Sequence, residues 1–345
     1  MRGVILVGTA VTRPDSIGSL YRFEAGRGWE RPASLSDDVA VQAITPHPTK
    51  PDTVYVAARK GLFVSDDAGA TWTKLAAPDD VQYWSFLIDP ENPARMFAGT
   101  SPPGVMRSED GGKTWAKSEC DDTERYQIKF GASRMMKLAF HPANKKIMYG
   151  AAEIQGMFAS TDGGKTWKRA NEGIDYLSKQ PHLKNTELTD DDTEGMYDAH
   201  AVVTSAATPD SVYYICRMGV FESGDLGKTM RDLEVGKQAP FKYTRDMRVS
   251  PRDPSKIYAC FSISSRSERG AMFRSNDLGK TWERADPDMD VRSTIMGFGQ
   301  HVSEPGKIVS VTRHGQVFYT LDDCASWKEE QLPTNAGDAF CGTVL

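Results

Sequence analysis

Residues 160–167 read Ser-Thr-Asp-Gly-Gly-Lys-Thr-Trp, and variants of this octet return along the chain. They stand as SDDAGATW at 65–72, SEDGGKTW at 108–115, SGDLGKTM at 223–230, SNDLGKTW at 275–282 and TLDDCASW at 320–327. The central aspartates Asp67, Asp110, Asp162, Asp225, Asp277 and Asp322 are separated by 43, 52, 63, 52 and 45 residues. Each octet sits in the same frame of short apolar and β-branched runs divided by glycine and proline, as in 53–58 and 62–65. No segment holds a helical period. Repeats of this length with several short strands each predict a β-propeller.

The octet has a local physical task. Its Ser and Asp side chains accept hydrogen bonds from backbone amides of a tight turn. Its glycine takes the positive φ that the turn needs, and its tryptophan plugs the space between neighbouring blades. One aspartate per blade cannot converge on one substrate, so these residues are read as turn formers and not as catalytic or calcium-binding groups.

The S-x-D-x-G-x-T-W repeat resembles the Asp-box (BNR) family, which includes sialidases, sortilin-type receptors, xyloglucanases and photosystem assembly factors. Five of the six copies match closely, and the resemblance covers nearly the whole chain. It implies the fold more strongly than a reaction, because one fold hosts unrelated functions. Sialidase chemistry fits poorly. Thr12-Arg13-Pro14 only faintly echoes the Arg-Ile-Pro element that the resemblance would require, and the blade count expected here is seven, not six.

That count adds a seventh blade to the six octets. Val4–Ala10 reads as its strand B, 19–23 as strand C and 29–35 as strand D, with Gly28-Trp29 the remnant of an octet. The C-terminal run 339–345 (AFCGTVL) is expected to return as its strand A and close the ring, removing exposed strand edges. The expectation is thus an all-β, seven-bladed propeller of four-stranded antiparallel blades, one domain over 1–345. An insertion at 171–197 is expected to act as a lid, with a short helix and an acidic tip at Asp190, Asp191, Asp192 and Glu194.

Composition narrows the partners. A net charge of −5 with no Lys/Arg-rich block argues against nucleic acid. No stretch approaches the ~20 apolar residues of a membrane helix, and the short apolar run at the N-terminus reads as a strand and not as a signal peptide. Five scattered cysteines without a CxxC pair suit a reducing compartment, so a cytoplasmic location is expected.

In the expected geometry strand A lines a central channel, the octets lie on one face, and the D–A and B–C loops lie on the other. Long D–A connections at 116–133 and 168–197 and a long B–C loop at 262–270 fall on that second face. Aligning the strand A segments (DVAVQAITPHP, DVQYWSFLIDP, ASRMMKLAFHP, MYDAHAVVTSA, FKYTRDMRVSP, RSTIMGFGQHV) puts Gln42, Tyr83, Trp84, Arg134, Lys137, Asp198, His200, Tyr243, Arg245 and Asp246 near the channel mouth. The B–C turns add Arg59, Lys60, Glu153, Gln155, Arg217, Arg313 and His314. Arginines gathered in this way suit a carboxylate or phosphate, which a guanidinium binds through two hydrogen bonds. Charges that merely solvate the face or pair with one another are the plainer reading.

Asp198 and His200 are two apart on a strand and share a face, so the aspartate can orient the imidazole as a base. The histidines His47, His141 and His301 lie at the opposite end and read as structural. Three functions follow. In the first, the protein is a hydrolase or lyase of a small polar or anionic, carboxylate- or sugar-like molecule. Arg134, Arg245, Arg217, Arg313, Trp84, Tyr83, Lys137, Gln42 and His182 bind it, and Asp198, His200, Asp246 and Tyr243 handle the chemistry. In the second, the propeller is a non-catalytic peptide- or protein-binding scaffold. In the third, His200 and His314 with a carboxylate hold a divalent metal for a lyase.

Overall fold

The computed structural model describes residues 3–121, 132–184 and 195–345. Seven antiparallel sheets, one per blade, form a ring. Six hold four strands, and one gains a fifth. The innermost strands, from blade 1 to blade 7, are Asp338–Val344, Val41–Pro46, Gln82–Ile88, Met135–Phe140, Ala199–Ser205, Tyr243–Val249 and Ile295–Gln300. Blade 1 closes as expected, because Asp338–Val344 pairs with Val4–Ala10 from the other end of the chain. Its outermost strand is shorter than expected, Gly28–Glu30. The connection after blade 3 does not run as a plain loop. Glu119–Cys120 crosses to lie parallel to Thr166–Arg169 as the fifth strand of blade 4.

The octets do the work their composition predicts. In residues 160–167 Ser160 Oγ donates to Asp162 Oδ1 at 2.9 Å and accepts from the Gly164 amide at 2.9 Å. Asp162 also receives the Thr166 amide at 3.0 Å and its hydroxyl at 2.7 Å. These donors outweigh the cost of burial and hold the Asp162 carboxyl at about 2. Gly164 has φ +83°, where a side chain would strike Phe97 of the preceding blade. Trp167 is 1% exposed. Burying its ~200 Å² of aromatic surface contributes about 5 kcal/mol before entropy is counted.

Seven apolar clusters fill the seven wedges between blades, and an octet tryptophan seats in five of them. In blade 5 the octet ends in Met230, and the helix Glu172–Leu177 supplies the missing bulk. Ile174 and Leu177 pack beside Met230 in the wedge between blades 4 and 5. The Gly173 amide donates to the Gly227 carbonyl at 2.8 Å. The expected helix of the insertion is therefore a wedge filler. The acidic tip, Asp190 to Glu194, lies outside the described residues.

Backbone hydrogen bonds settle which loops share a face. Each of five octets bonds to the A–B turn of its own blade, as Gly163 N does to Lys146 O at 2.8 Å and Gly111 N to Ala94 O at 2.8 Å. The B–C turns instead bond to the start of strand A: Arg59 to Ala40, Glu153 to Arg134, Arg217 to Asp198 and Arg313 to Thr294. The octets and the starts of the channel strands thus lie on opposite faces of the disc.

Candidate active site in the central channel

Every innermost strand carries a β-bulge at the same level. The register slips around Gln42, Trp84, Met136, His200, Arg245 and Met296, and in blade 1 around Phe340. A bulge places an extra residue against its partner strand and re-aims its side chain. All seven extra residues line one cavity of about 270 Å³ in the channel. They form a ring in which His200 and Arg245 stand together and Trp84, Met136, Met296 and Phe340 supply apolar wall. The cavity continues from this ring along the strands past Lys137, Asp246 and Arg248 to Thr45 and Pro46, toward the octet face.

Asp246 is the charged hub of the cavity. Its Oδ1 accepts from Lys137 Nζ at 3.3 Å, reaching from blade 4 past blade 5 to blade 6. Its Oδ2 accepts from Arg248 Nε at 3.2 Å. Burial opposes ionisation of Asp246, but Arg248, Lys137 and the Phe298 amide outweigh it and depress its pKa. Burial and the neighbouring Arg248 charge loosen the Lys137 proton, and the attraction of Asp246 only partly restores it.

His200 is 4% exposed. Its Nδ1 lies 2.6 Å from the Thr244 carbonyl oxygen, which fixes the proton on Nδ1. Its Nε2 faces the Tyr243 hydroxyl at 3.5 Å and Asp198 Oδ2 at 3.4 Å. Burial depresses the His200 pKa against the attraction of Asp198. Asp198 is also bonded to Arg217 Nε at 3.1 Å. Burial opposes its charge, and the His200, Arg217 and Arg245 groups around it hold it ionised. Arg245 is half-buried and makes no hydrogen bond or ion pair with any described residue. Burial works against its charge, while Tyr243, Glu153 and Asp198 nearby more than compensate.

The residues singled out from sequence therefore separate into groups. Gln42, Trp84, Lys137, His200, Arg245 and Asp246 line the cavity. Asp198, Tyr243 and Arg217 stand behind His200, with the Arg217 guanidinium 5.6 Å from the centre of the Tyr243 ring. Arg134 pairs with Glu153 at 3.2 Å and stacks on Trp84 at 4.1 Å. Arg59 takes the same indole at 5.3 Å. Arg313 pairs with Asp338 at 3.2 Å.

Tyr83 is turned by strand alternation into the core between blades 2 and 3, where its hydroxyl donates to the Pro78 carbonyl at 2.7 Å. His182 lies on the outer rim, 3.7 Å from Asp232. His314 is exposed on a B–C turn, and among the described residues no group of three or more His, Cys, Asp and Glu converges as a metal site. Met136, Arg248, Met296 and Phe340 line the cavity without having been singled out. The signal was present for Met136 and Met296, which occupy the same column as Gln42, Trp84, His200 and Arg245 when the strand A segments are aligned.

The model of the BNR/Asp-box repeat matches residues 158–169, the strand and octet of blade 4. This chain is a β-propeller that carries the BNR/Asp-box repeat. The BNR propeller is 23% identical to a xyloglucanase of Hypocrea jecorina over 93% of its own length and 36% of that enzyme. It spans well under half the length of the curated relatives it matches. Among solved structures it superposes on the GH74 xyloglucanase of Xanthomonas campestris with a TM-score of 0.63 at 16% identity, covering 99% of this chain and 52% of that one. It also superposes on YCF48 bound to D1 peptide, with a TM-score of 0.53 at 11% identity, over 85% of this chain and 82% of that one. At these identities the solved structures speak for the fold.

Proposed function

We propose that this propeller is a glycosidase-like hydrolase that acts on a small anionic molecule, carboxylate- or sugar-acid-like, held inside the channel. The observation that carries the reading is Arg245, a half-buried guanidinium that makes no hydrogen bond or ion pair with a described residue and opens onto the cavity. Its guanidinium donors face the cavity without an acceptor among the described residues, and a bidentate anion takes two of them at once. The size of the cavity, about 270 Å³, fits a metabolite-sized molecule. The likeness to xyloglucanases favours hydrolysis as the reaction type.

In this reading Arg245 binds the anionic group, and Trp84, Met296 and Phe340 pack against the neutral part. Asp246, held ionised, takes a proton from the attacking water. Lys137, whose proton burial has loosened, gives one to the leaving oxygen, so the protons balance over a turnover. Asp198 and Tyr243 hold the His200 ring and do not touch the substrate. The test is calorimetric titration with a panel of sugar acids and short carboxylic acids, followed by assay of aryl glycosides of the sugar acids. Binding that disappears in Arg245→Gln, together with turnover that disappears in Asp246→Asn, supports the reading. Normal binding in Arg245→Gln removes its basis.

The match to YCF48 over most of both chains favours a second reading, a peptide-binding scaffold. Stabilisation by peptides alone, with no response to any acid, selects it.

A further inference from the structure

Resting on the reading above, we infer that the channel ligand is a short dianion with a charged group at each end and a neutral middle. Arg245, Lys137 and Arg248 all line the cavity, against the single carboxylate of Asp246. Asp246 cannot saturate them. Arg248 reaches it through Nε alone, at 3.2 Å, and its two terminal amino groups have no hydrogen-bond acceptor among the described residues. Lys137 spends one of its three donors on it, at 3.3 Å. Arg245 spends none.

These unused donors fall into two groups, Lys137 and Arg248 around Asp246, and Arg245 by itself. Arg245 is the extra residue of the blade 6 bulge, at the level of the ring. Asp246 and Arg248 are two apart on the same strand face, further into the channel. Because the bulge absorbs one residue, two ladder steps separate the backbones of Arg245 and Arg248, about 7 Å of strand, and the Arg248 side chain reaches back to Asp246. The wall that shares the cavity with both poles is apolar, with Leu138, Met296 and Phe340 on it. A monoanion occupying such a site leaves the spare donors of one pole without an acceptor, which a second anionic group supplies. The class that fits is a dicarboxylate, or an acid with a phosphate at its far end.

The probes are succinate, glutarate and adipate, each titrated by calorimetry beside the monoacid of the same chain length. One charge-assisted bidentate contact more should tighten the dianion about 10- to 100-fold over its monoacid. Arg245→Gln and Arg248→Lys should each bring the dianion down to the monoacid level. Arg248→Lys keeps a cation beside Asp246, so loss of folding does not obscure the result, and circular dichroism of each variant checks this. Equal affinity for mono- and dianions overturns the dianion inference while leaving an anion site in the channel. If no acid of either kind binds, the inference and the function proposed above both fall.

Discussion

The Nδ1 atom of His200 lies 2.6 Å from the carbonyl oxygen of Thr244, the residue before the bulge on the neighbouring blade. This contact ties the two channel strands together at the level of the ring. It also places a proton on Nδ1 and turns Nε2 toward Tyr243 and Asp198.

That arrangement predicts a pH dependence of stability. Burial depresses the pKa of His200 in the folded protein, whereas an unfolded histidine takes its proton near pH 6.5. Below about 6.5 the unfolded chain binds more protons, so stability falls as pH drops, by up to about 1.4 kcal/mol per pH unit for this one group. Urea unfolding at pH 7.5 and 5.5 should show a smaller difference in His200→Gln than in the wild type. His47 and His301, also depressed by burial, contribute equally to both proteins, so an unchanged difference would refute the assignment.

Arg245→Gln should separate binding from stability. The guanidinium makes no hydrogen bond or ion pair with a described residue, so the melting temperature should change little, while affinity for a small acid should fall at least ~10-fold. Scanning fluorimetry and calorimetry on the same preparation measure both. A fall in melting temperature without a change in affinity points to a structural role instead.

Asp246→Ala should behave in the opposite way. It leaves Lys137 and Arg248 facing each other without their shared carboxylate, and should cost about 2–4 kcal/mol, allowing for the partial exposure of both cations. Asp246→Asn should retain more of that stability but lose turnover. Denaturant midpoints of the two variants, read beside the glycosidase assay, distinguish the two roles.

The wedge between blades 4 and 5 depends on the insertion helix. Ile174→Ala should destabilise the protein by about 2–4 kcal/mol, close to the effect of deleting a buried core side chain elsewhere. Trp167→Ala, in the neighbouring wedge, should cost about 3–5 kcal/mol. If Ile174→Ala proves neutral in equilibrium unfolding, Met230 alone fills its wedge.

Much of the fold is legible in the chain. The octets are local devices, in which Asp162 and Ser160 bond within four residues of themselves, so their meaning survives without tertiary context. Blade closure by the C-terminal strand is legible for a related reason: blade 1 shows strands B, C and D and lacks a strand A. The helix Glu172–Leu177 was legible as a helix but not as a wedge filler, because its partner, Met230, lies more than fifty residues away.

The site was legible in half. Residue types and strand order put His200, Arg245, Asp246 and Lys137 near one axis. Tyr83 and Trp84 are neighbours that alternation sends in opposite directions, and only the bulge register decides that Trp84 takes the channel while Tyr83 takes the core. Pairings such as Lys137 with Asp246, 109 residues apart, exist because the ring brings two blades together across a third.

The repeat, its period and the missing strand therefore determined seven blades and their closure, since turn chemistry and strand patterning act over a few residues. Which side chains face the cavity, and which cations are left without acceptors there, was decided by the tertiary structure. One-residue slips in seven strands set those directions, and their consequence is felt only where the seven strands meet.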